Sequence, residues 1–421
     1  MTKVKFIHTA DLHLDTPFKG LTNWNSELAK RLKNATLGSL KKIVDLGIQE
    51  NVDFLVISGD IFDSENQSLA AQLNFVEEMQ RLTEKRIPAY FICGNHDPLS
   101  SWLEDLQMPE NVFRFNASEV ENQTFRKNGE PIADIHGISF ANKTVSKNLA
   151  SSYKVKDQPS PVKIALLHGT VGISGPHENF APFKVEDIAD KGFDYWALGH
   201  IHKRQVVWQK YPAVVYPGNP QGRDFGETGA KGCYMVEIDQ NKTLDISFVP
   251  VQQIRFEELE IDLTGEDTIN VLPGKIQEAV TGLNDYEENT SYIIRISLTG
   301  RTPLHSRFNR PGEMEQVLDF LNEGQLDQTH FTWIDSIEVN TKPVIDIDKI
   351  RERSDFPGEI LNAIEQYESD SQKLKEWIES VDKEFSGQAK REIDGLSEED
   401  HRQIIEKAKW MLLDKLRKEQ E

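Results

Sequence analysis

Carboxylates and imidazoles recur along this chain in one setting, just after a short apolar run. Asp11 and His13 follow Val4-Lys5-Phe6-Ile7, Asp60 and Asp63 follow Phe54-Leu55-Val56-Ile57, and Asn95 and His96 follow Ala89-Tyr90-Phe91-Ile92. His168 follows Ile164-Ala165-Leu166-Leu167, and His200 and His202 follow Tyr195-Trp196-Ala197-Leu198. Imidazole nitrogens, carboxylate oxygens and one amide, with no thiolate among them, suit intermediate to hard divalent ions such as Mn, Fe or Zn. Two ions held roughly 3.5–4 Å apart need a shared carboxylate, and together they clamp the attacking and leaving oxygens of a phosphoester. Each motif alone has a plainer reading. Gly-Asp after a strand is an ordinary turn, Asp-x-His caps a loop, and a single histidine after a strand is a satisfied polar group. His200-x-His202 says more, because alternate residues of an extended segment point the same way. The repeated setting argues for one site.

To build such a site the apolar runs must be strands whose ends converge. Lys3 to Thr9 reads as a first strand. Leu28, Leu32, Ala35, Leu40, Ile43, Val44 and Ile48 predict one long amphipathic helix. The strand at Phe54 follows, then a helix marked by Ala71, Phe75, Met79 and Leu82, then the strand Ala89 to Cys93. Right-handed crossovers in this β-α-β-α-β series place the three polar strand ends on one edge, where ligands of open α/β sheets collect. Residues from about 110 to 150 read as short strands. Further strands are expected at Ile164, Tyr195, Val214 and Gly232, with alternation persisting to about Val251.

The character then changes. Strands at Leu259–Leu263 and Tyr292–Leu298 flank a helix at Lys275–Val280, and a helix near Met314–Leu321 and a strand near Thr332–Val339 complete a small α+β unit. After Pro343 the chain is helical and charged. Its expected stripes are Ile360, Ala363, Ile364 and Tyr367, then Leu374, Trp377, Ile378, Val381 and Phe385, with a break at Ser386-Gly387. Ser397 caps a last helix carrying Ile404, Ile405, Ala408, Met411, Leu412 and Leu416.

A length of 421 residues exceeds one core, and the shifts in pattern predict domains at 1–252, 253–345 and 346–421. No apolar run approaches the roughly 18 residues that cross a bilayer, and the N-terminus lacks a signal-peptide pattern. Cys93 and Cys233 lie far apart, which argues for a reducing, cytoplasmic setting with no disulfide framework. A formal net charge of −21 argues against coating nucleic acid by bulk electrostatics. It leaves room for a polyanion at a local site where metal ions supply the positive charge.

Asp11-x-His13, Gly59-Asp60-x-x-Asp63, Gly94-Asn95-His96-Asp97, His168-Gly169 and Gly199-His200-x-His202 together resemble the motif series of the calcineurin-like metallophosphoesterases. The openings Thr9-Ala10-Asp11-Leu12-His13 and Ser58-Gly59-Asp60-Ile61-Phe62-Asp63 look most like the DNA-repair exonuclease branch, the SbcD-type nuclease subunits. Tyr216-Pro217-Gly218-Asn219-Pro220-Gln221-Gly222-Arg223 is similar to the bacterial YhaO-like proteins. The resemblance covers about residues 4 to 240. It implies an α/β fold: a metallophosphoesterase β-sandwich core flanked by helices, with a small α+β cap domain and a helical C-terminal tail.

The resemblance further implies that Asp11, His13, Asp60 and His202 hold one metal. Asp60, Asn95, His168 and His200 would hold the other, with Asp60 shared and Mn(II) the expected ion. His96 would protonate the leaving oxygen or stabilise the phosphorane, with Asp63 orienting it. Some nuclease relatives carry histidine where this chain has Asp63, which leaves the balance of exonuclease and endonuclease action open. The implied partners are DNA and an SMC-like, SbcC-type ATPase that the tail would dock onto, with a homodimer formed through the first domain and no membrane. Arg223 and Lys231 are candidates for substrate phosphates or for a solvated turn. His136 and His177 read as structural, and Arg301, Arg307 and Arg310 as a DNA-backbone contact or plain surface. Two other functions stay open: a nucleotide or small-phosphoester hydrolase, and a non-catalytic scaffold.

Overall fold

A computed structural model describes residues 3–16, 26–63, 68–102, 106–155, 160–172, 180–369, 372–373, 376–377, 380 and 397–418. The chain forms two compact units. The first comprises Met1–Glu258, Thr281–Arg295 and Asn322–Ser336; the second comprises Leu259–Val280, Ile296–Leu321 and Ile337–Glu421.

In the first unit, β1 (Lys3–Thr9), β2 (Phe54–Ser58), β3 (Ala89–Ile92) and β4 (Val112–Arg114) run parallel. A second sheet holds β5 (Glu121–Lys127), β6 (Glu130–Gly137), β7 (Val162–His168), β8 (Tyr195–Gly199), β9 (Gln205–Trp208) and β10 (Ala213–Tyr216) in the order β5-β6-β7-β8-β10-β9. Then β11 (Gly232–Asp239) and β12 (Leu244–Pro250) return antiparallel to the first sheet, giving β12-β11-β1-β2-β3-β4. The two sheets pack face to face. Phe6, Phe54, Val56 and Tyr90 from the first meet Ile135, Ile164, Tyr195 and Val215 from the second in one buried cluster.

This layering explains why Phe54-Leu55-Val56-Ile57 is apolar at every position. Phe54 and Val56 point into the inter-sheet core, while Leu55 and Ile57 point outward under helices α2 (Ala35–Gln49) and α3 (Leu69–Glu84). A strand covered on both faces has no polar side to show. The outer face of the second sheet is likewise covered, Leu167, Trp196 and Leu198 packing with Tyr153, Phe183 and Phe193.

The single long helix expected over Leu28 to Ile48 is two helices, α1 (Ser26–Lys33) and α2, separated at Asn34. The halves serve different cores, which is why one apolar stripe does not need one continuous helix. Leu28 and Leu32 pack with Ile254, Phe256, Ile293, Phe331 and Trp333, whereas Leu40, Ile43 and Val44 pack under the first sheet.

A third sheet has the order β13-β14-β15, from Ile254–Asp262, Ser291–Thr299 and Thr332–Val339. The helices α4 (Leu272–Thr281), α5 (His305–Phe308), α6 (Glu313–Asn322), α7 (Ile347–Arg351), α8 (Phe356–Ser369) and α9 (Glu398–Lys418) follow in chain order around its later strands. The Ser397 hydroxyl accepts from Asp400 N, as a cap should. The buried face of these late helices matches the expected stripes only in part: Ile405 is buried as expected, but Leu361, Trp410 and Leu413 pack with Ile345, while Ile404 and Met411 are exposed. Leu374, Ile378, Val381, Phe385 and the Ser386-Gly387 break lie outside the described residues. No helix among the described residues is long and apolar enough to cross a membrane.

Phe54 is fully buried, stacks on Phe6 with centroids 5.1 Å apart and meets Phe125 of the opposite sheet at 5.2 Å. Phe54→Ala should therefore destabilise the sandwich by about 3–5 kcal/mol. Urea unfolding checks this, and an unmoved midpoint at constant m-value would contradict the packing described.

Candidate metal centre

The strand ends are tied together before any side chain is considered. Beyond β1 and β2 the chains stay paired, with Asp11 N donating to Gly59 O (3.0 Å), His13 N to Asp60 O (3.1 Å) and Leu14 N to Ile61 O (2.9 Å). To do this while turning their side chains to one point, Asp11, His13 and Asp60 take φ of 54°, 44° and 52°, and His200 takes 104°. Left-handed backbone costs a non-glycine residue of order 1–3 kcal/mol and persists only where the surroundings fix it. Here part of the fixing comes from Asp97, which is fully buried. Its carboxylate accepts from Asp60 N (3.1 Å), Ile61 N (3.0 Å) and Gly94 N (2.7 Å), joining the loops after β2 and β3.

The glycines beside these residues make room. A Cβ on Gly94 would lie 2.8 Å from His168 Nε2 and press on Asp60 Oδ1. Gly59, at φ 93°, faces His168 Nδ1 in the same way. His168 is therefore seated between the two glycine turns.

The donor atoms converge in two groups, Asp11 with His13 and His202, and Asp60 with His168 and His200, each within 4.8 Å. Asn95 Oδ1 joins the second group, 3.0 Å from His168 Nε2 and 3.1 Å from His200 Nδ1. One oxygen spans both groups: Asp60 Oδ2 lies 3.4 Å from His168 Nε2 and 3.9 Å from His13 Nε2. Beside them stand Asp63 and His96, with Asp63 Oδ1 3.4 Å from His96 Nδ1, and these two also group with His13. All of the residues expected at the site from the strand ends are thus brought together.

The chemistry of this donor set fits a cation. His168 Nδ1 lies 2.9 Å from the Ser58 carbonyl, which can only accept, so the ring's hydrogen is used there. Its Nε2 lone pair then faces Asn95 Oδ1 and Asp60 Oδ2, both acceptors. In the other group His202 Nδ1 donates to Glu227 Oε1 at 2.6 Å, leaving its Nε2 lone pair 3.1 Å from His13 Nε2. Acceptors facing acceptors at these distances need a positive charge between them, supplied by protons or by metal ions.

The acidities report the same tension. Burial pushes the Asp11 carboxyl up, against the pull of His202 and His168. Burial would do the same to Asp60, but the charge and hydrogen bond of His168 override it and hold Asp60 well below the usual carboxylate range. His168 moves the opposite way. Burial lowers it, yet Asp60 outweighs that and takes it up to about 9. The hydrogen bond that His96 makes to Asp63 raises His96, and burial beside Asp60 takes Asp97 up to about 8.

Of the remaining candidates, Arg223 turns its guanidinium to Glu227 (3.1 Å), and Lys231 Nζ donates to the His202 carbonyl (3.2 Å). His136 is buried edge-on to Phe193, and His177 lies outside the described residues. Arg301 Nη1 donates to Ile345 O, and Arg307 pairs with Glu313. Sequence reasoning gave no role to Asp97 or Glu227. Asp97 stands inside a quoted motif, so its carboxylate next to the turn was a usable signal; Glu227 has no spacing that marks it.

Residues 4–204 match the calcineurin-like phosphoesterase family, and residues 256–342 match the middle domain of metallophosphoesterase YhaO. The chain is 35% identical to an uncharacterized metallophosphoesterase, YhaO, of Bacillus subtilis, over 79% of this chain and 81% of that one. It is 24% identical to the DNA double-strand break repair protein Mre11 of Sulfolobus acidocaldarius, over 72% and 76%. It is 25% identical to a subunit of the nuclease SbcCD from Staphylococcus epidermidis, over 61% and 72%.

If one Asp60 oxygen serves both groups, Asp60→Ala should cost both ions, whereas Asp11→Ala should cost mainly one. Metal content after equilibrium dialysis against Mn(II) measures this directly. Equal losses in the two variants would contradict the shared position.

Proposed function

The chain belongs to the calcineurin-like phosphoesterase family and is a metal-dependent phosphodiesterase, and from that premise we propose that it cleaves DNA at a two-metal centre as the nuclease subunit of an SbcC-type ATPase complex. The observation that carries this reading is the Asp60 carboxylate between two histidine groups, with His96 and Asp63 beside them. In this reading Asp11, His13, Asp60 and His202 hold one ion, and Asp60, Asn95, His168 and His200 hold the other, with Mn(II) as the metal. When bound, the pair supplies Lewis-acid polarisation of the phosphoryl oxygens and an activated water.

The chain's own residues do the rest. The backbone N–H of His96 donates to Asp60 Oδ1 at 2.9 Å, which fixes its place next to the centre. The His96 side chain is 42% exposed, so its free ring edge is open to a substrate. Asp63 at Nδ1 favours the protonated ring and sets which nitrogen is free. His96 then gives its proton to the departing oxygen as the P–O bond breaks. The Asp11 and Asp60 carboxylates, buried and acceptor-only, keep anions away from the centre except where an ion neutralises them.

DNA as substrate is supported by the names of the relatives, a double-strand break repair protein and a nuclease subunit. Residues 253–345 are assigned to the α+β capping domain and 346–421 to docking the ATPase, which the exposed Ile404 and Met411 on α9 support. Exposed Leu69 and Leu73, one turn apart on α3, support a homodimer through the first domain. A cytoplasmic setting is supported by two free, buried thiols, Cys93 and Cys233. The net charge of −21 favours a second reading, hydrolysis of nucleotides or small phosphoesters.

Purified protein with Mn(II) should degrade internally labelled DNA. His96→Ala should lower that rate by about 10²–10⁴-fold while both ions still bind. Hydrolysis of a chromogenic phosphodiester without DNA cleavage, even with the ATPase present, would sink the nuclease reading and leave the small-phosphoester one.

A further inference from the structure

The run from Pro217 to Arg223 is a sequence feature that the proposed chemistry leaves without a task. In the fold it lies between β10 and β11 and passes directly beneath His202. Asn219 N and Lys231 Nζ both donate to the His202 carbonyl, each at 3.2 Å. Gly218, at φ 75°, permits this approach, since a Cβ there would lie 2.7 Å from the same carbonyl oxygen. The loop therefore grips the backbone of a candidate ligand.

Glu227 grips its ring. His202 Nδ1 donates to Glu227 Oε1 at 2.6 Å, and Arg223 Nη2 reaches the same oxygen at 3.1 Å. The other oxygen, Oε2, accepts from Asn219 Nδ2 (2.8 Å) and from Arg223 N (2.9 Å). A carboxylate bound by donors at both oxygens, with its side chain only 12% exposed, has little freedom to turn. Its hydrogen bond at Nδ1 fixes both the plane of the His202 ring and its tautomer, and so aims the Nε2 lone pair at the point that His13 and Asp11 also face. Partners of this kind behind a ligating histidine typically change metal affinity by about 10–100-fold.

We propose that Glu227, held by Arg223 and Asn219, is a positioning residue that sets the affinity of the ion bound by Asp11, His13 and His202. The proposal rests on the two-metal reading above. It gives the Pro217–Arg223 run a task in building the site, and it occupies the Arg223 guanidinium with Glu227 in place of a substrate phosphate.

Mn(II) titration of the full chain, freed of metal, followed by electron paramagnetic resonance of the unbound ion, tests this on wild type, Glu227→Gln and Glu227→Ala. Wild type should take up two ions. Both variants should weaken one binding step by about 10–100-fold and leave the other step unchanged. Histidine ¹⁵N shifts of the metal-free protein give a readout that needs neither metal nor activity: His202 should carry its hydrogen on Nδ1 in wild type and lose that preference in Glu227→Ala. Should Glu227→Ala not fold, the near-isosteric Glu227→Gln carries the titration. Two ions bound by Glu227→Gln with wild-type affinity, or both steps weakened equally, would overturn the role of Glu227 and leave the two-metal reading standing. Failure of wild type itself to bind two ions would overturn both, and is told apart by that control.

Discussion

The carboxylate of Asp60 is only 1% exposed, and the imidazoles of His168 at 3.4 Å and His13 at 3.9 Å lie within ion-pair distance of it. Asp11, equally buried, stands in the neighbouring group. Burying a charge costs several kcal/mol unless it is paired and hydrogen-bonded, so this pair of carboxylates sets terms that the surrounding structure has to meet. One part of the answer is backbone donation: His96 N to Asp60 Oδ1, and His200 N to both oxygens of Asp11. The other part is positive charge at the centre. Protons on imidazoles can provide it, but only by removing the lone pairs that the His168–Ser58 and His202–Glu227 hydrogen bonds leave free. Divalent ions provide it and use those lone pairs. That preference is written into the contacts behind the donor groups as much as into the donors themselves.

The same constraint reaches into the fold. Side chains from the C-terminal ends of β1, β2, β3, β7 and β8 and the loops that follow them meet at one point only if the strands beneath hold their places, and a two-faced apolar core supplies that rigidity. Behind the site the strands are further tied by His8, fully buried, with Nδ1 2.9 Å from the Tyr195 hydroxyl and Nε2 3.2 Å from the Leu198 carbonyl. Ser58 Oγ donates to the Ala197 carbonyl at 2.8 Å, joining the sheets within a residue of Gly59. With that base fixed, the left-handed turns at Asp11, His13 and Asp60 are tolerated, since the strain is met by contacts that do not depend on the ligands themselves.

What was legible in the sequence follows from this design. Phe54 to Ile57 announces a strand because both its faces are covered, and Asp60 then announces a site because a carboxylate directly follows such a run. Helical spacing marked α3 for the same reason. The break at Asn34 was hidden because the apolar stripe runs across it, and only the packing reveals that its two halves belong to different cores. In α8, Leu361 is buried where Ile360 and Ala363 were expected to lead, a shift of one position that helical periodicity alone cannot resolve when the flanks are also apolar. Glu227 was invisible for a different reason. It reaches His202 across 25 residues that include strands β9 and β10, and no period connects the two.

The acidity of the chain bears on how such a centre can meet a polyanion. Several basic side chains are already paired: Arg81 with Asp45 and Glu78, Lys163 with Asp134, Arg255 with Glu257, Arg295 with Asp335, Arg351 with Asp348 and Glu365. Arg223, a cation beside the centre, is engaged by Glu227. In the two-metal reading, ions at the centre would attract phosphate locally, without a basic surface that binds any nucleic acid by counterion release. In that reading, the burial of Asp11 and Asp60 would concentrate the field of bound ions at the centre.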